Sequence, residues 1–413
     1  MKNRSAQCVT VREASIPKKK ILIVAFRVTM GKRVLRQLYA LREKYEVYAV
    51  GFEPELPIEG VRYFQVIPRF REMPLHKKLM LALLLGCHQF EQVYPKLYDY
   101  ANVLQELSNT TFDLLLVHDI KPLPFVKKLH QSCEVLIDVH EYFFDSGDNI
   151  SSPFREPAAY FTNALLRKFD NYLLTRHFLH YTHFFTVGQR IADEYHRKMG
   201  KTFHVITSAH DHVEMSPSSI HEETIRIIHH GHASRNRKLE VMIEMMDAVD
   251  ERFELDLMLT THLSDNSYVR KLHQMAAERR NVKILPPVKP DEIVTYTNHY
   301  DIGLYLLPET NLNWKYALPN KFFEFIQARL CIAIGPSVEM ARIVKEYDLG
   351  IVAEDFQPKT LANRLNALTS EQIMYHKQQC HRHARKLSSE TQMEKLDKMI
   401  EGVLTENPYD PPA

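Results

Sequence analysis

Residues 20–51 read KILIVAFRVTMGKRVLRQLYALREKYEVYAVG, and their pattern indicates the fold class. The run from Lys20 to Phe26 is apolar after its first residue, which predicts a strand buried on both faces. In residues 31–44 the apolar side chains recur at helical spacing, at Val34, Leu35, Leu38 and Leu41. Residues 46–51 form a second short apolar run. Strand, helix and strand in this order form a β-α-β unit, which predicts a parallel sheet covered by helices on both faces.

The same alternation continues through both halves of the 413-residue chain. In the first half we expect further strands at 61–66, 113–118, 134–140, 183–187 and 203–207. In the second half we expect strands at 225–230, 254–260, 282–285, 301–307, 330–334 and 350–353. A chain of this length suits two domains of about 200 residues each. The predicted fold class is therefore α/β, with two Rossmann-like doubly wound domains facing each other across a cleft.

Polar, aperiodic segments divide the chain into units. The predicted units are a flexible leader at 1–17, a first domain at 18–212, a linker at 213–224, a second domain at 225–385, and a C-terminal helix and tail at 386–413 that is able to pack back on the first domain. Long helical patterns are expected in 75–107, with an interruption near Pro95, and in 371–404.

The composition excludes several classes of protein. There are only 12 glycines, no two closer than nine positions, so neither a G-x-G-x-x-G turn nor a G-x-x-x-x-G-K-[ST] loop is possible. G-x-S-x-G is absent, which argues against an α/β hydrolase. The five cysteines are scattered without a C-x-x-C pair, and the first twenty residues lack the apolar core of a secretory signal. We therefore expect a cytoplasmic protein that holds phosphates with side chains and helix N-termini.

The charge is unevenly distributed. Residues 1–100 contain 18 Lys and Arg against 9 Asp and Glu, which suggests an anionic partner. The basic and apolar stretch 68–85 (PRFREMPLHKKLMLALLL) and the aromatic, basic region 153–186 are similar to a peripheral surface on an anionic membrane. An ordinary buried helix is the alternative interpretation of the first stretch. We expect no nucleic-acid partner.

An anion site is predicted at residues 317–324, ALPNKFFE. Pro319 suits the first turn of a helix, where its missing N–H costs nothing. The free backbone N–H groups near Asn320 and Lys321, with the Lys321 charge, would attract an anion. Glu324 lies one turn further on and could reach a ribose diol. The alternative is an ordinary helix start with a surface lysine and glutamate.

A second basic segment lies between a predicted strand and helix, at residues 231–238, GHASRNRK. Arg235, Arg237 and Lys238 surround the expected helix start, where they could neutralise a phosphate. Basic residues disfavour a helix N-terminus slightly, which favours a functional role over a solvated loop.

Polar residues also follow the strands of the first half, where ligands bind in open parallel sheets. They are Arg27 and Lys32, His118 and Asp119, and His140 and Glu141. A histidine at such a position can bind a ligand or transfer a proton, and Glu141 is a competing acid or base. The histidine groups at 177–183 and 229–232 lack a recognised zinc spacing, and no D-x-D pair occurs, so we expect no metal.

Taken in order, these segments resemble the GT-B-fold glycosyltransferases, specifically the retaining family 4. The likeness covers roughly residues 20–370 and rests on VHD, IDVHE, FFTVGQRIADEY, HGHASRNRKLEVMIEMM, NVKILPPVKPDEIVTYTNHYDIGLYLLPE and ALPNKFFEFIQARLCIAIGP. It implies that 18–212 is the acceptor-side domain and that 225–385 binds a nucleotide sugar. It also implies no separate cofactor, because a nucleotide-diphosphate sugar is the donor substrate.

The resemblance implies a role for each matching residue. Glu324 would hold the donor ribose, and Lys238 would neutralise the diphosphate. Asn320 and Lys321, with their backbone amides, would face the diphosphate and the sugar. His140 would contact the donor sugar, and Leu285 and Val288 would flank the nucleobase. The remaining donor-binding candidates are Gly231, His232, Arg235, Arg237, Tyr316, Leu318 and Pro319. The acceptor-side candidates are Arg27, Lys32, His118 and Asp119. His140, Glu141, Lys238 and Glu324 are the catalytic candidates.

Four features depart from the family pattern. Residues 27–32 (RVTMGK) stand where the family has a glycine-rich turn after its first strand. Tyr316 stands eight residues before Glu324, where the family has its first glutamate. His232 replaces the usual arginine after Gly231, and Leu239 replaces the glycine after Lys238. The loss of the first glutamate bears most directly on recognition of the sugar and on the stereochemistry of transfer.

The function implied is transfer of a sugar from a nucleotide-diphosphate donor to a glycan or lipid-linked acceptor in surface polysaccharide or glycoconjugate synthesis. Cations would stabilise the leaving diphosphate, with retention and without a metal. An inverting reaction would need a base, for which Glu141, His140 or Asp119 could serve. A nucleotide-sugar epimerase of similar fold and a degenerate, non-catalytic GT-B binding protein are the alternatives.

Overall fold

The computed structural model describes residues 17–29, 31–54, 58–129, 132–145, 157–220, 223–260 and 266–405. The predicted leader falls almost entirely outside these residues. No helix of the described part is both long enough and apolar enough to cross a bilayer.

The first half forms a parallel sheet flanked by helices. Its strands are β1 (Lys20–Ala25), β2 (Glu46–Gly51), β3 (Arg62–Gln65), β4 (Ile67–Pro68), β5 (Tyr98–Asp99), β6 (Leu114–His118), β7 (Glu134–Val139), β8 (His183–Thr186) and β9 (His204–Val205). Its helices are α1 (Lys32–Arg42), α2 (Leu75–Gly86), α3 (Phe90–Leu97), α4 (Ala101–Leu107), α5 (Leu123–Lys128), α6 (Pro157–Arg176) and α7 (Gln189–Met199). Seven strands pair in the order β3-β2-β1-β6-β7-β8-β9, while β4 and β5 form a separate antiparallel ribbon.

The second half repeats this plan. Its strands are β10 (Ile225–His232), β11 (Phe253–Thr260), β12 (Val282–Leu285), β13 (Ile302–Tyr305), β14 (Cys331–Ile334) and β15 (Gly350–Val352). Its helices are α8 (Glu240–Met245), α9 (Asn266–Ala277), α10 (Ile293–Thr297), α11 (Leu312–Lys315), α12 (Asn320–Gln327), α13 (Val338–Tyr347), α14 (Pro358–Asn366), α15 (Ser370–His383) and α16 (Ser389–Leu404). The strand order is β12-β11-β10-β13-β14-β15, and all pairs are parallel.

The predicted fold of two doubly wound sheets is confirmed. In each sheet the strand order reverses next to the first strand, between β1 and β6 and between β10 and β13. Such a reversal opens a crevice beyond the carboxyl ends of the strands, and ligands bind there. The residues that follow β1, β6, β7 and β10 therefore lie next to the crevice where a ligand would bind.

Two predicted helical regions are more broken than expected. Residues 75–107 form three helices, with a first break at His88, which adopts a φ of +57°, and a second at β5. Pro95 lies inside α3, and the helix ends two residues later at Leu97, so the second break lies close to the predicted one. Residues 371–404 form two helices, α15 and α16, and the Ser389 amide at the start of α16 donates to the His210 carbonyl.

Helix α16 packs against the first domain. Its buried Leu396, Met399 and Ile400 join the apolar cluster that contains Leu38 and Leu41 of α1. Lys44 also pairs with Asp397. The exact domain boundaries proposed from the sequence stay a prediction.

Candidate active site

The end of β10 brings two cations close to the backbone at Gly231. This glycine has a φ of +138°, a conformation that side chains rarely adopt. A Cβ atom there would lie 2.6 Å from the Nζ atom of Lys321 and 3.4 Å from a guanidinium nitrogen of Arg237. The absence of a side chain at position 231 therefore lets both cations approach the strand end.

Lys321 is positioned by the start of α12, which follows Pro319 as its N-cap. The side chain is only 7% exposed, and its Nζ atom lies 3.1 Å from Nε2 of His229. Nδ1 of His229 lies 2.8 Å from the Leu304 carbonyl oxygen, to which it donates, so its Nε2 accepts from the lysine. Burial, and then the nearby Arg237, hold the pKa of Lys321 well below its ordinary value. An anionic ligand would favour the charged form of this lysine.

Glu324 lies one turn further along α12 and is also buried. Its Oε1 atom is 3.5 Å from Nζ of Lys32 in the first domain, and its Oε2 atom is 3.5 Å from Nε2 of His230. Burial and Lys321 lower the pKa of His230 to about 3, so this ring is neutral. Both contacts are longer than a normal hydrogen bond, which leaves the carboxylate able to accept from a ligand hydroxyl.

The basic residues of the segment 231–238 do not all lie at the same place: some lie near the end of β10, and one contacts helix α9. Arg237 lies over the Trp314 ring, 5.9 Å from its centroid, as well as next to Gly231. Lys238 is exposed in a left-handed turn with a φ of +47°. Arg235 instead donates to the Ser267 hydroxyl of α9 at 2.6 Å. The cations closest to this end of the sheet are therefore the buried Lys321 and the half-buried Arg237.

The other donor-binding candidates occupy more varied positions. Leu285 and Val288 are half-buried against the second core, Leu318 is buried in it, and His232 ends β10. Asn320 is exposed, 3.3 Å from the Ser208 hydroxyl. Tyr316 packs against the first domain, where its hydroxyl lies 3.3 Å from Oε1 of Glu194.

On the first-domain side, the buried Asp138 organises the end of β7. Its carboxylate accepts two hydrogen bonds from Arg33, at 2.7 and 2.8 Å, and one from Gln37 at 2.7 Å. Burial raises the pKa of Asp138. Interactions with Arg33, and then with His140 and His118, outweigh burial and hold this pKa well below its usual range. Sequence reasoning missed Arg33 and Gln37, although both lie on the apolar face of α1 and could have been found there.

His140 lies between two carboxylates. Its backbone amide donates to Oδ1 of Asp119 at 3.0 Å, and its Nε2 atom is 3.4 Å from Oδ2 of Asp138. Burial works against protonation, but Asp119 and Asp138 together raise the pKa of His140 above its ordinary value. By contrast, burial lowers the pKa of His118, whose Nδ1 atom is 3.1 Å from Nε2 of His140. The pair therefore favours a charged His140 beside a neutral His118.

A metal ion is one group that these residues could hold. Among the described residues, His118, Asp138 and His140 are the set whose ligand atoms lie within 4.8 Å of one another. However, Oδ2 of Asp138 already accepts from Arg33 and Gln37. Metal-bound histidines usually donate their second ring nitrogen to an acceptor, and Nε2 of His118 has no such partner within the described part. A hydrogen-bond network fits this donor set better than a metal centre.

Several contacts join the two domains around this cleft. The Tyr142 amide donates to Oδ1 of Asn313 at 2.7 Å, and the Asn313 side chain donates back to the Tyr142 carbonyl at 3.2 Å. The Arg190 amide at the start of α7 donates to the buried Glu339 carboxylate. Arg27 and Glu141 are exposed, and the Glu141 carbonyl accepts from the Tyr195 hydroxyl at 2.8 Å.

Comparison with known proteins identifies the fold. No family model and no curated protein matches the sequence. Among solved structures, sucrose-phosphate synthase from Thermosynechococcus elongatus has a TM-score of 0.65 at 11% identity, over 94% of this chain and 100% of that one. HepE of Anabaena, in complex with UDP and glucose, has a TM-score of 0.60 at 15% identity, over 93% and 100%. An α,α-trehalose-phosphate synthase (UDP-forming) from Burkholderia vietnamiensis has a TM-score of 0.57 at 11% identity, over 94% and 100%.

These proteins are GT-B glycosyltransferases. This chain has the GT-B fold. The part of the predicted resemblance that concerns the fold is thereby confirmed, while membership of family 4 stays a prediction. In a GT-B fold the cleft lies between the carboxyl ends of the two sheets, which is where Lys321 and His140 are found.

Proposed function

We propose that the protein is a glycosyltransferase that moves a sugar from a nucleotide-diphosphate donor to a glycan or lipid-linked acceptor. The observation that carries this proposal is a pair of cations, the buried Lys321 and the half-buried Arg237, against Gly231 in a GT-B cleft. Neither cation has a carboxylate within salt-bridge distance among the described residues, so an anionic ligand would complete the site. The diphosphate of a nucleotide sugar is such an anion.

The donor would be held largely by the second domain. Its diphosphate would lie between Lys321, Arg237 and the N-terminus of α12, with Lys238 closing over it from the loop. Its ribose hydroxyls would donate to Glu324, displacing the long contacts to Lys32 and His230. Charge that develops on the leaving diphosphate would then be stabilised by cations already in place.

Transfer with retention fits the first-domain side best. Asp119 and Asp138 favour the protonated form of His140, and in that form it donates a hydrogen bond to the donor sugar rather than removing a proton. An oxygen of the leaving diphosphate would take the acceptor proton as the acceptor oxygen bonds to the anomeric carbon. The acceptor would enter past Arg27, Lys32, His118 and Asp119.

We also propose that the reaction belongs to surface polysaccharide or glycoconjugate synthesis in the cytoplasm, at the inner face of the membrane. Four cysteines, Cys87, Cys133, Cys331 and Cys380, are free thiols. Free thiols are usual in a reducing compartment.

A non-catalytic GT-B binding protein is the second candidate, and Tyr316 is the observation that favours it. The tyrosine occupies the position of a family glutamate and contacts Glu194 of the first domain. A protein of this kind would bind the nucleotide but transfer no sugar to any acceptor.

A thermal-shift panel of nucleoside diphosphates and nucleotide sugars tests donor binding. A ligand at 100 times its dissociation constant adds about 2.7 kcal/mol of stability, which raises the melting temperature by about 5 °C. Arg235→Gln should keep this shift, because Arg235 contacts α9. Glu324→Gln should reduce it. If no member of the panel raises the melting temperature, donor binding as proposed is wrong.

Donor binding should also be coupled to protonation of Lys321. Its pKa is depressed in the free protein, and an adjacent diphosphate raises it. Binding should therefore take up a proton, and affinity should fall as the pH rises between the pKa values of the free and bound forms. Calorimetry in buffers of different ionisation enthalpy measures this uptake. A nucleotide sugar is the suitable probe, since its diphosphate diester does not titrate near neutrality.

Lys321→Met is the control for this experiment, because it removes the titrating group. Its binding enthalpy should not depend on the buffer. Equal proton uptake by the wild-type protein and the variant would show that another group titrates.

A further inference from the structure

Helix α2 exposes an unusual amount of apolar surface. Leu75, Leu79 and Leu83 are 73%, 63% and 66% exposed. Their spacing of four residues places them in one row along the helix. Leu81 is the only buried residue of this helix, although most residues of the helix are apolar. We call Leu75, Leu79 and Leu83 the leucine row.

Further apolar side chains extend this surface. Ile67 of β4 and Phe70, just after it, are 51% and 50% exposed. The Nζ atom of Lys78 lies over the Phe70 ring, 5.4 Å from its centroid, so α2 and this segment are neighbours. Soluble proteins rarely leave large apolar side chains grouped in this way without a partner.

The charge around the leucine row indicates the kind of partner. Helix α2 contains His76, Lys77 and Lys78 and no acidic residue. An exposed apolar row bordered by lysines is the pattern of a helix that lies in the plane of a membrane interface. Lysines near such a surface are attracted to anionic headgroups.

Contacts connect this surface to the mouth of the cleft. Phe26, which ends the first strand run and precedes Arg27, packs edge-on against Tyr98 of β5. Tyr98 pairs with Pro68 of β4, and Phe70 follows two residues later. A membrane under α2 would therefore lie near the rim by which the proposed acceptor enters.

We propose that the leucine row and the lysines of α2 dock this protein on an anionic lipid bilayer. The apolar side chains would enter the boundary between headgroups and acyl chains, while Lys77 remains among the headgroups. The docking itself does not depend on catalysis. Its use, the delivery of a lipid-linked acceptor to the cleft, rests on the proposed function.

Vesicle co-sedimentation without donor tests the docking separately from activity. The wild-type protein should bind vesicles of phosphatidylcholine and phosphatidylglycerol, should bind pure phosphatidylcholine much less, and should bind less at high salt. Leu79→Gln with Leu83→Gln should weaken binding by about tenfold or more, because two side chains no longer leave water. Lys77→Gln should weaken it less.

Tyr375→Ser is the matched control, since Tyr375 is an exposed aromatic residue of α15 in the second domain. It should leave vesicle binding unchanged. The leucine variant should keep the wild-type melting temperature and its activity on a water-soluble acceptor. Absence of binding to anionic vesicles would overturn the proposal. The proposal would also be overturned, in favour of a protein partner, if the wild-type protein is a dimer, the leucine variant is a monomer and the two bind vesicles equally.

Discussion

Lys321→Met is expected to lower sugar transfer by about a hundredfold to a thousandfold, because it removes a charge placed against the proposed leaving diphosphate. The lysine is buried between Gly231 and His229, where a charge acts in a medium less polar than water. Its effect should therefore fall on kcat as well as on KM. Steady-state kinetics with saturating acceptor and varied donor measures both constants.

The melting temperature of Lys321→Met shows whether a loss of activity comes from the site or from a damaged fold. Removing Lys321 relieves its repulsion with Arg237 but leaves the Nε2 atom of His229 without its donor. These effects oppose each other, so the melting temperature should change little. Lys238→Met is the matched comparison, because Lys238 is exposed and its charge is screened by solvent. Transfer should fall less in that variant, and equal losses would refute the special role of Lys321.

The strands of the two parallel sheets were predictable because their signal is local, whereas the ribbon of β4 and β5 was not predicted. The run at 282–285, for example, was placed at its exact ends by its apolar residues. The breaks at His88 and within 371–404 were not predictable, since they depend on contacts with distant parts of the chain. The Ser389 amide, for example, bonds to His210.

The candidate site was predictable only in part, for the same reason. Residues after strand ends could be found one by one, and Lys321 and His140 do lie at the cleft. The partners of these residues could not be found, because they come from elsewhere in the sequence. Glu324 meets Lys32 of the other domain, and Tyr316 meets Glu194. Local sequence also gave no sign that Arg235 contacts α9 rather than the site.

Arg33→Leu is expected to destabilise the protein by about 3–5 kcal/mol, because it leaves the Asp138 carboxylate buried without its cation. Asp138 is fully buried and Arg33 is 7% exposed, so solvent cannot replace the lost interaction. Equilibrium denaturation at neutral pH measures the difference. Because Asp138 also contacts His140, the variant should lose transfer activity as well.

Arg36→Leu is the matched control on the same helix. Arg36 pairs with Asp211, whose side chain is 58% exposed, so its loss should cost about 1 kcal/mol or less. Equal losses of unfolding free energy in the two variants would contradict the large contribution proposed for the buried pair of Arg33 and Asp138.

The pH dependence gives a second test with a definite sign. In the wild-type protein the pKa of Asp138 is depressed, so its stabilisation is present above the unfolded-state pKa of about 3.9 and is lost as the pH falls toward the folded value. Without Arg33, burial should dominate and raise this pKa above that of the unfolded chain. The variant should therefore lose stability as the pH rises through the raised pKa. The loss of unfolding free energy in Arg33→Leu, relative to wild type, should be largest near neutrality and should shrink on acidification. The small loss in Arg36→Leu should not change in this way with pH.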